Sequence, residues 1–192
     1  MTESWDSTGN AVFSKCEVLL RNWLTEEGAD RVDVDYQVIH RVARVRVWLT
    51  RGGGRKSIRL PREVKFAIYD IRPSQVDPCR GAWLYSHFWM EATDGVLHQE
   101  CDWMREPVID DDEPVMDGDA ALELDYYPRD PQWIPEWMAT KAAAHQKVRE
   151  ARERRRQRDR ERRAKKKAEA AQAEGNGDDE PSSGRVGRSG DE

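Results

Sequence analysis

Apolar residues first recur at helical spacing: Val12, Phe13, Cys16, Leu19, Leu20, Trp23 and Leu24 fall on one side of a helix from about Ala11 to Glu27. Thr8 or Asn10 is placed to cap that helix, and Gly28 to close it in the left-handed conformation. The period then falls to two. Val32, Val34, Tyr36 and Val38 alternate with polar residues, as do Val45, Val47 and Leu49 with Arg44, Arg46 and Trp48, which predicts half-buried strands. Two strands, or one long strand bulged near His40, fit that pattern equally. Gly52 to Gly54 reads as a flexible connection and Lys56 to Leu60 as a short third strand. From Pro61 the residues Val64, Ala67, Ile68 and Ile71 return to helical spacing, with Pro61 suited to the first turn and Arg72-Pro73 ending the segment.

A hairpin follows the loop PSQVDPCRG. Ala82 to Thr93 forms its aromatic first arm, Asp94-Gly95 is a two-residue type I′ turn signal, and Val96 to Trp103 returns. With that turn Thr93 faces Val96, which sets Glu91 opposite His98, Trp89 opposite Glu100 and His87 opposite Asp102. One face then holds Trp83, Tyr85, His87, Trp89, Glu91, His98, Glu100 and Asp102. The other holds Leu84, Phe88, Met90, Ala92, Leu97, Cys101 and Trp103, and is the better core. Trp83 and Tyr85 fit equally well packed beneath a helix or left at a surface.

After Trp137 the pattern disappears. Residues 139–173 are nearly all Ala, Lys, Arg, Glu and Gln, strong helix formers without an apolar stripe. Beyond Gly175 the composition is that of a disordered segment. The expected organisation is a flexible N-terminus over 1–10, an α+β domain with an antiparallel sheet and flanking helices over 11–138, a basic helix over 139–173, and a disordered acidic tail over 174–192.

Charge sharpens this division. Residues 1–140 carry 16 Lys/Arg against 26 Asp/Glu, whereas 141–167 carry 14 against 4, so the net charge of -5 averages opposites. The densest acidic part contains Asp110, Asp111, Asp112, Glu113, Asp117 and Asp119. Five of the eight tryptophans (Trp83, Trp89, Trp103, Trp133 and Trp137) lie in the same sector. Rigid aromatic anchors beside clustered carboxylates suit a protein that binds another protein and steers a basic partner electrostatically. The candidate partner-binding residues are Trp89, Glu91, His98, Glu100, Asp102 and the six acidic residues just named; a solvated acidic loop is the alternative for the latter. Trp133, Ile134 and Trp137 fit anchors for the closing segment.

Chemistry is harder to find. The chain has no G-x-S-x-G, no phosphate-cradling glycine loop and no nucleophilic cysteine signature, so no catalytic residue and no cofactor is expected. Cys101 points away from His98 and no C-x-x-C spacing occurs, which argues against a metal site; the acidic run also lacks the ordered spacing of a calcium loop. Cys16, Cys79 and Cys101 fit reduced thiols. With no apolar run of about 18 residues and no signal-like N-terminus, a cytoplasmic setting without membrane contact is expected. The tail residues Arg152, Arg154, Arg155, Arg156, Arg158, Arg160, Arg162 and Arg163 supply an alternative function in nucleic-acid association. They surround the helix without an interleaved aromatic, a pattern better suited to a solubilising or charge-neutralising appendage.

The stretch WLYSHFWMEATDG, then VLHQECDWMREP, then the acidic run and YYPRDPQWIPEWM resembles the C-terminal half of YezG-type immunity proteins, antitoxins of polymorphic-toxin systems. Tyr-Pro-Arg and Ile-Pro-x-Trp in its last segment resemble the closing motif of related bacterial immunity proteins. The resemblance covers residues 83–138; the preceding elements match only in order, and the basic tail departs from the family. It implies a non-catalytic protein that neutralises a cognate toxin by tight binding. The acidic surface suits a basic toxin, such as a nuclease whose phosphate positions carboxylates can occupy.

Overall fold

The computed structural model describes residues 7–111 and 114–175. The expectations for residues 1–6, for Asp112 and Glu113, and for residues 176–192 lie outside the described residues. Helix α1 spans Ser7–Glu26 and is followed by strands β1 (Arg31–Ile39), β2 (Val42–Arg51) and β3 (Gly54–Ser57). Helix α2 (Arg62–Ser74) leads to β4 (Tyr85–Glu91) and β5 (His98–Asp102), and helices α3 (Asp117–Tyr126) and α4 (Glu136–Gly175) complete the chain. The strands form one antiparallel sheet in the order β3-β2-β1-β4-β5, giving an α+β fold.

Local chemistry accounts for most boundaries. Gly28, at φ 57°, ends α1 in a Schellman arrangement: its N–H bonds the Thr25 carbonyl at 3.0 Å and that of Ala29 bonds Leu24 at 3.2 Å. The helix begins upstream of its apolar stripe, so Asn10 lies inside it and does not cap it. Ile39 pairs with Val42 across His40-Arg41, so the alternating segment is two strands joined by a tight turn, with His40 at φ 51°. The β2–β3 turn places Gly52 and Gly53 at φ 53° and 81°, the two positive angles of a type I′ hairpin. Strand β3 is consequently Gly54–Ser57, earlier than the Lys56–Leu60 segment expected from pattern. Pro73 sits within the last turn of α2, which continues to Ser74.

The two faces of the sheet are covered differently. Val32, Val34, Tyr36, Val47, Leu49, Phe88 and Met90 bury against Cys16, Leu20, Trp23 and Leu24 of α1 and Val64, Ala67, Ile68 and Ile71 of α2. A second cluster, Ile39, Leu84, Val115, Ala120 and Met138, covers only the Ile39 end of the opposite face. The expected placement of Trp83 and Leu84 is corrected here. Strand alternation begins only at Tyr85, so the two preceding residues are free of it. Trp83 is fully buried in the helix-side core, edge-on to Tyr36 at 5.2 Å, its Nε1 donating to Gln75 Oε1 at 3.0 Å. Leu84 crosses to the second cluster.

A buried ion network ties these layers together. Glu123 Oε1 lies 2.6 Å from Arg72 Nη2 and 3.4 Å from Arg129 Nη2, and Glu123 Oε2 accepts the His40 N–H at 2.6 Å. Arg129 also donates to the carbonyls of Trp103 (2.7 Å) and Ala82 (2.6 Å), and Arg72 donates to that of Trp83 (2.8 Å). Burial lowers the affinity of Arg129 for its proton, while Glu123 opposes that loss. The Tyr-Pro-Arg motif is thus a structural staple: its arginine fills the interior where the loop before β4, the end of β5 and α3 meet.

Candidate functional site

The sheet face opposite α1 and α2 carries the sequence-predicted aromatic and acidic residues. Strand pairing places Asp33 beside both Trp48 and Trp89, Asp35 beside Arg46 and His87, and Gln37 beside Arg44 and Tyr85. On the outer strand, His98 pairs with Trp89, Glu100 with His87 and Asp102 with Tyr85. This register differs by two residues from the one a two-residue Asp94-Gly95 turn dictates. A two-residue shift preserves which side chains share a face but changes every cross-strand partner.

The loop between the two strands is docked on α1. Arg21 Nε donates to the Gly95 carbonyl at 2.8 Å, Glu17 Oε2 accepts the Leu97 N–H at 3.2 Å, and the two side chains bond each other at 2.6 Å. The end of β4 remains paired with β1, with the Ala92 N–H bonding the Asp30 carbonyl at 2.8 Å. The connection is therefore a longer loop docked on the helix, with Leu97 buried. Asp94 turns its own loop by accepting the Val96 N–H at 3.0 Å, and that bond holds its carboxyl below the usual range.

Three rings stand in a row at the centre of this face. Trp89 stacks on His87 at 5.2 Å with planes 28° apart, and on His98 at 5.1 Å with planes 12° apart. His87 Nδ1 donates to Asp35 Oδ1 at 2.7 Å, and its Nε2 faces Asp33 Oδ1 at 3.3 Å. Tyr85 Oη donates to the same Asp35 oxygen at 3.1 Å; burial and this neighbour raise the phenol above its ordinary value. Arg31 bonds both oxygens of Asp33, at 2.9 and 2.6 Å, and reaches Glu91 at 2.5 Å. Burial alone would raise the Asp33 carboxyl, but the Arg31 fork, aided by His87 and Arg55, holds it below the usual carboxylate range.

Guanidinium groups lie on the other aromatics of this face. Arg55 sits 4.6 Å from the centroid of Trp48, and Arg105 sits 4.8 Å from that of Tyr85. Both nitrogens of His87 face carboxylates, leaving neither aimed outward to move a proton on a bound molecule. Among the described residues, no group of three or more His, Cys, Asp or Glu is arranged to hold a metal ion.

The described acidic residues are divided, with Asp111 on the β2 side of this face and Asp117 and Asp119 on α3. Asp111 is clasped by Arg44 at 2.7 and 2.6 Å and approached by Arg46 at 3.3 Å, and the Arg44 hydrogen bond lowers its carboxyl from the ordinary value. The Val108 N–H bonds Gln37 Oε1 at 2.7 Å, so this loop is strapped across the basic half of the open face. Asp110 is exposed, and Asp117 and Asp119 belong to the first turn of α3, where carboxylates complement the helix dipole. Trp137 donates from Nε1 to the Met104 carbonyl at 2.8 Å, and Trp133 and Trp103 flank Arg80, as anchors of the closing segment should.

The residues that pattern reading missed are Arg31, Asp33, Asp35 and Trp48. The alternation of β1 and β2 already placed them opposite the valines; their role emerges only once β4 pairs with β1. The tail arginines Arg152, Arg154, Arg155, Arg156, Arg158, Arg160, Arg162 and Arg163 are all exposed on α4. Among the described residues, no helix is long and apolar enough to cross a membrane. No protein-family model matches the chain, and no curated protein matches it significantly.

Proposed function

We infer that the chain is a non-catalytic immunity protein that binds and neutralises a cognate toxin, using the open sheet face around Trp89. The observation that carries this reading is the preassembled row His87–Trp89–His98, stacked and backed by Asp35 and Asp33, on a face that helices cover only at one end. Aromatic side chains already fixed by stacking lose little rotamer freedom on binding, which suits a protein interface. Asp33, Asp35 and His87 are bonded to one another and to neighbouring side chains, an arrangement that stiffens a surface and offers no nucleophile. The partner-facing residues are Trp89, Glu91, His98, Glu100 and Asp102. Asp111 contributes through its clasp on Arg44, so the acidic loop shapes the rim and leaves the steering of a basic partner to the β4–β5 side.

A second reading, nucleic-acid association through α4, draws on the exposure of its arginines on every side. Co-expression separates the two. The chain is produced in cells together with candidate toxin domains, each taken from the C-terminus of a protein encoded in the same gene neighbourhood, as wild type, as His98→Ala/Glu100→Lys, and with Arg154, Arg155 and Arg156 changed to glutamine. The inference expects growth to be protected by the wild type and by the glutamine variant, and lost with the open-face variant although its melting temperature is unchanged. Protection that depends on the tail arginines and survives the open-face changes would sink it.

A further inference from the structure

We propose that the β4–β5 side of the open face receives a cationic side chain, arginine or lysine, from the protein partner, with Glu100 as its counter-ion and the edge of the Trp89–His98 stack as an apolar wall for its methylene stem. This rests on the reading of the open face as the partner-binding surface.

The other large aromatics of this face are covered by cations of the chain itself. Trp48 carries the Arg55 guanidinium and Tyr85 carries that of Arg105, each within 5 Å of the ring centroid. Among the described residues, the Trp89–His98 pair has no arginine or lysine in a comparable position. Trp89 is stacked with His87 and His98 instead, and from Ala82 to Met104 there is no Lys or Arg, while Glu91, Asp94, Glu100 and Asp102 all fall within that stretch.

The carboxylates around the stack are not equivalent. Glu91 is paired with Arg31, Asp94 binds the Val96 N–H and faces His98 at 3.4 Å, and Asp102 accepts the N–H groups of Met104 and Arg105 at 2.8 and 3.0 Å. Glu100 is exposed on the same face, and among the described residues its carboxylate holds no hydrogen bond or ion pair. A carboxylate beside apolar ring edges suits a guanidinium or ammonium group, since the charged head pairs with the carboxylate while the methylene stem packs along the rings. The opposite half offers no such place. There Arg44 and Arg46 are answered by Asp111 from the chain itself. Electrostatic complementarity therefore selects a partner whose basic residue lands on β5 and not on β2.

The test uses the full-length chain and three pentapeptides in which glycine alternates with arginine, citrulline or glutamate. Titrations follow the indole N–H resonance of Trp89, with that of Trp48 as an internal reference. The arginine peptide is expected to shift the Trp89 signal in a saturable manner, and citrulline, which keeps the shape without the charge, to leave it unmoved. Glu100→Gln should weaken binding by about two- to fivefold, the range of a single exposed ion pair, whereas Asp111→Asn should not. Equal shifts with citrulline, a response to the glutamate peptide, or undiminished binding by Glu100→Gln would overturn the inference. Failure here is separable from failure of the immunity reading. Protection from the co-expressed toxin that persists in a Glu100→Lys chain removes the cation site, whereas an unprotected wild type removes the function.

Discussion

Glu123 shows how much of this molecule depends on a residue that periodicity alone would assign to solvent. It lies in an acidic stretch, yet its side chain is fully buried between Arg72 and Arg129. Removing one member of such a network leaves uncompensated charge inside the protein and costs about 3–5 kcal/mol. Glu123→Gln is therefore expected to lower the urea midpoint sharply, while Asp125→Asn, an exposed neighbour on the same helix, leaves it unchanged. Gly81 provides an independent check on the same contact. At φ 70° it sits where an added Cβ would lie 2.9 Å from Arg129 Cγ and from the Tyr127 carbonyl oxygen. Gly81→Ala should cost about 1–3 kcal/mol through strain; wild-type stability for both Gly81→Ala and Glu123→Gln would mean that this network does not hold the fold.

Helices α1 and α2 and the alternating span of β1 and β2 are legible because their apolar positions keep one period throughout, and Gly28 and the Gly52-Gly53 pair mark real stops, whereas the His40-Arg41 turn that divides the two strands carries no such mark. Helix α3 is not legible, because its buried positions are Ala120 and Glu123, which leave no apolar stripe. The faces of β4 and β5 are legible from Phe88, Met90, Leu97 and Trp103, yet their register is not. Asp94-Gly95 is a strong turn signal on its own, but the loop is bonded to Arg21 and Glu17, more than seventy residues away in sequence. If that docking sets the register, Arg21→Ala should cost about 1 kcal/mol and raise amide exchange at Val96 and Leu97 selectively. The Trp89–His98 pairing is the sensitive reporter, because an indole ring current acts on whichever side chain stands opposite. A variant in which exchange stays slow at both amides would assign the register to the strands themselves.

The whole chain divides into two compact units, Met1–Gln146 and Lys147–Glu192, and α4 runs through the division. Its opening turns belong to the first unit for specific reasons. Met138 is fully buried with Ile39, Leu84, Val115 and Ala120, and Lys141 Nζ donates to the Val115 carbonyl at 2.8 Å. Composition alone placed the boundary near Met138, because alanines and charges follow it without an apolar pattern; a lysine that spans from helix to loop carries no such signature. In the second unit the described side chains are exposed, and the pairs Arg149 with Glu153, Glu150 with Arg154 and Lys165 with Glu169 lie 3.6 to 4.0 Å apart, contacts that support a helix locally without a core. Two truncations follow from this difference. A chain ending at Gln146 is expected to unfold in urea within about 0.5 kcal/mol of full length. One ending at Pro135 loses Met138, the Trp137 bond to Met104 and the Lys141 bond to Val115, and should be weaker by about 3 kcal/mol or more. Tryptophan fluorescence reports both transitions. Equal midpoints for the two truncations would show that the Ile39 end of the open face is closed by Ile39, Leu84, Val115 and Ala120 without the help of α4.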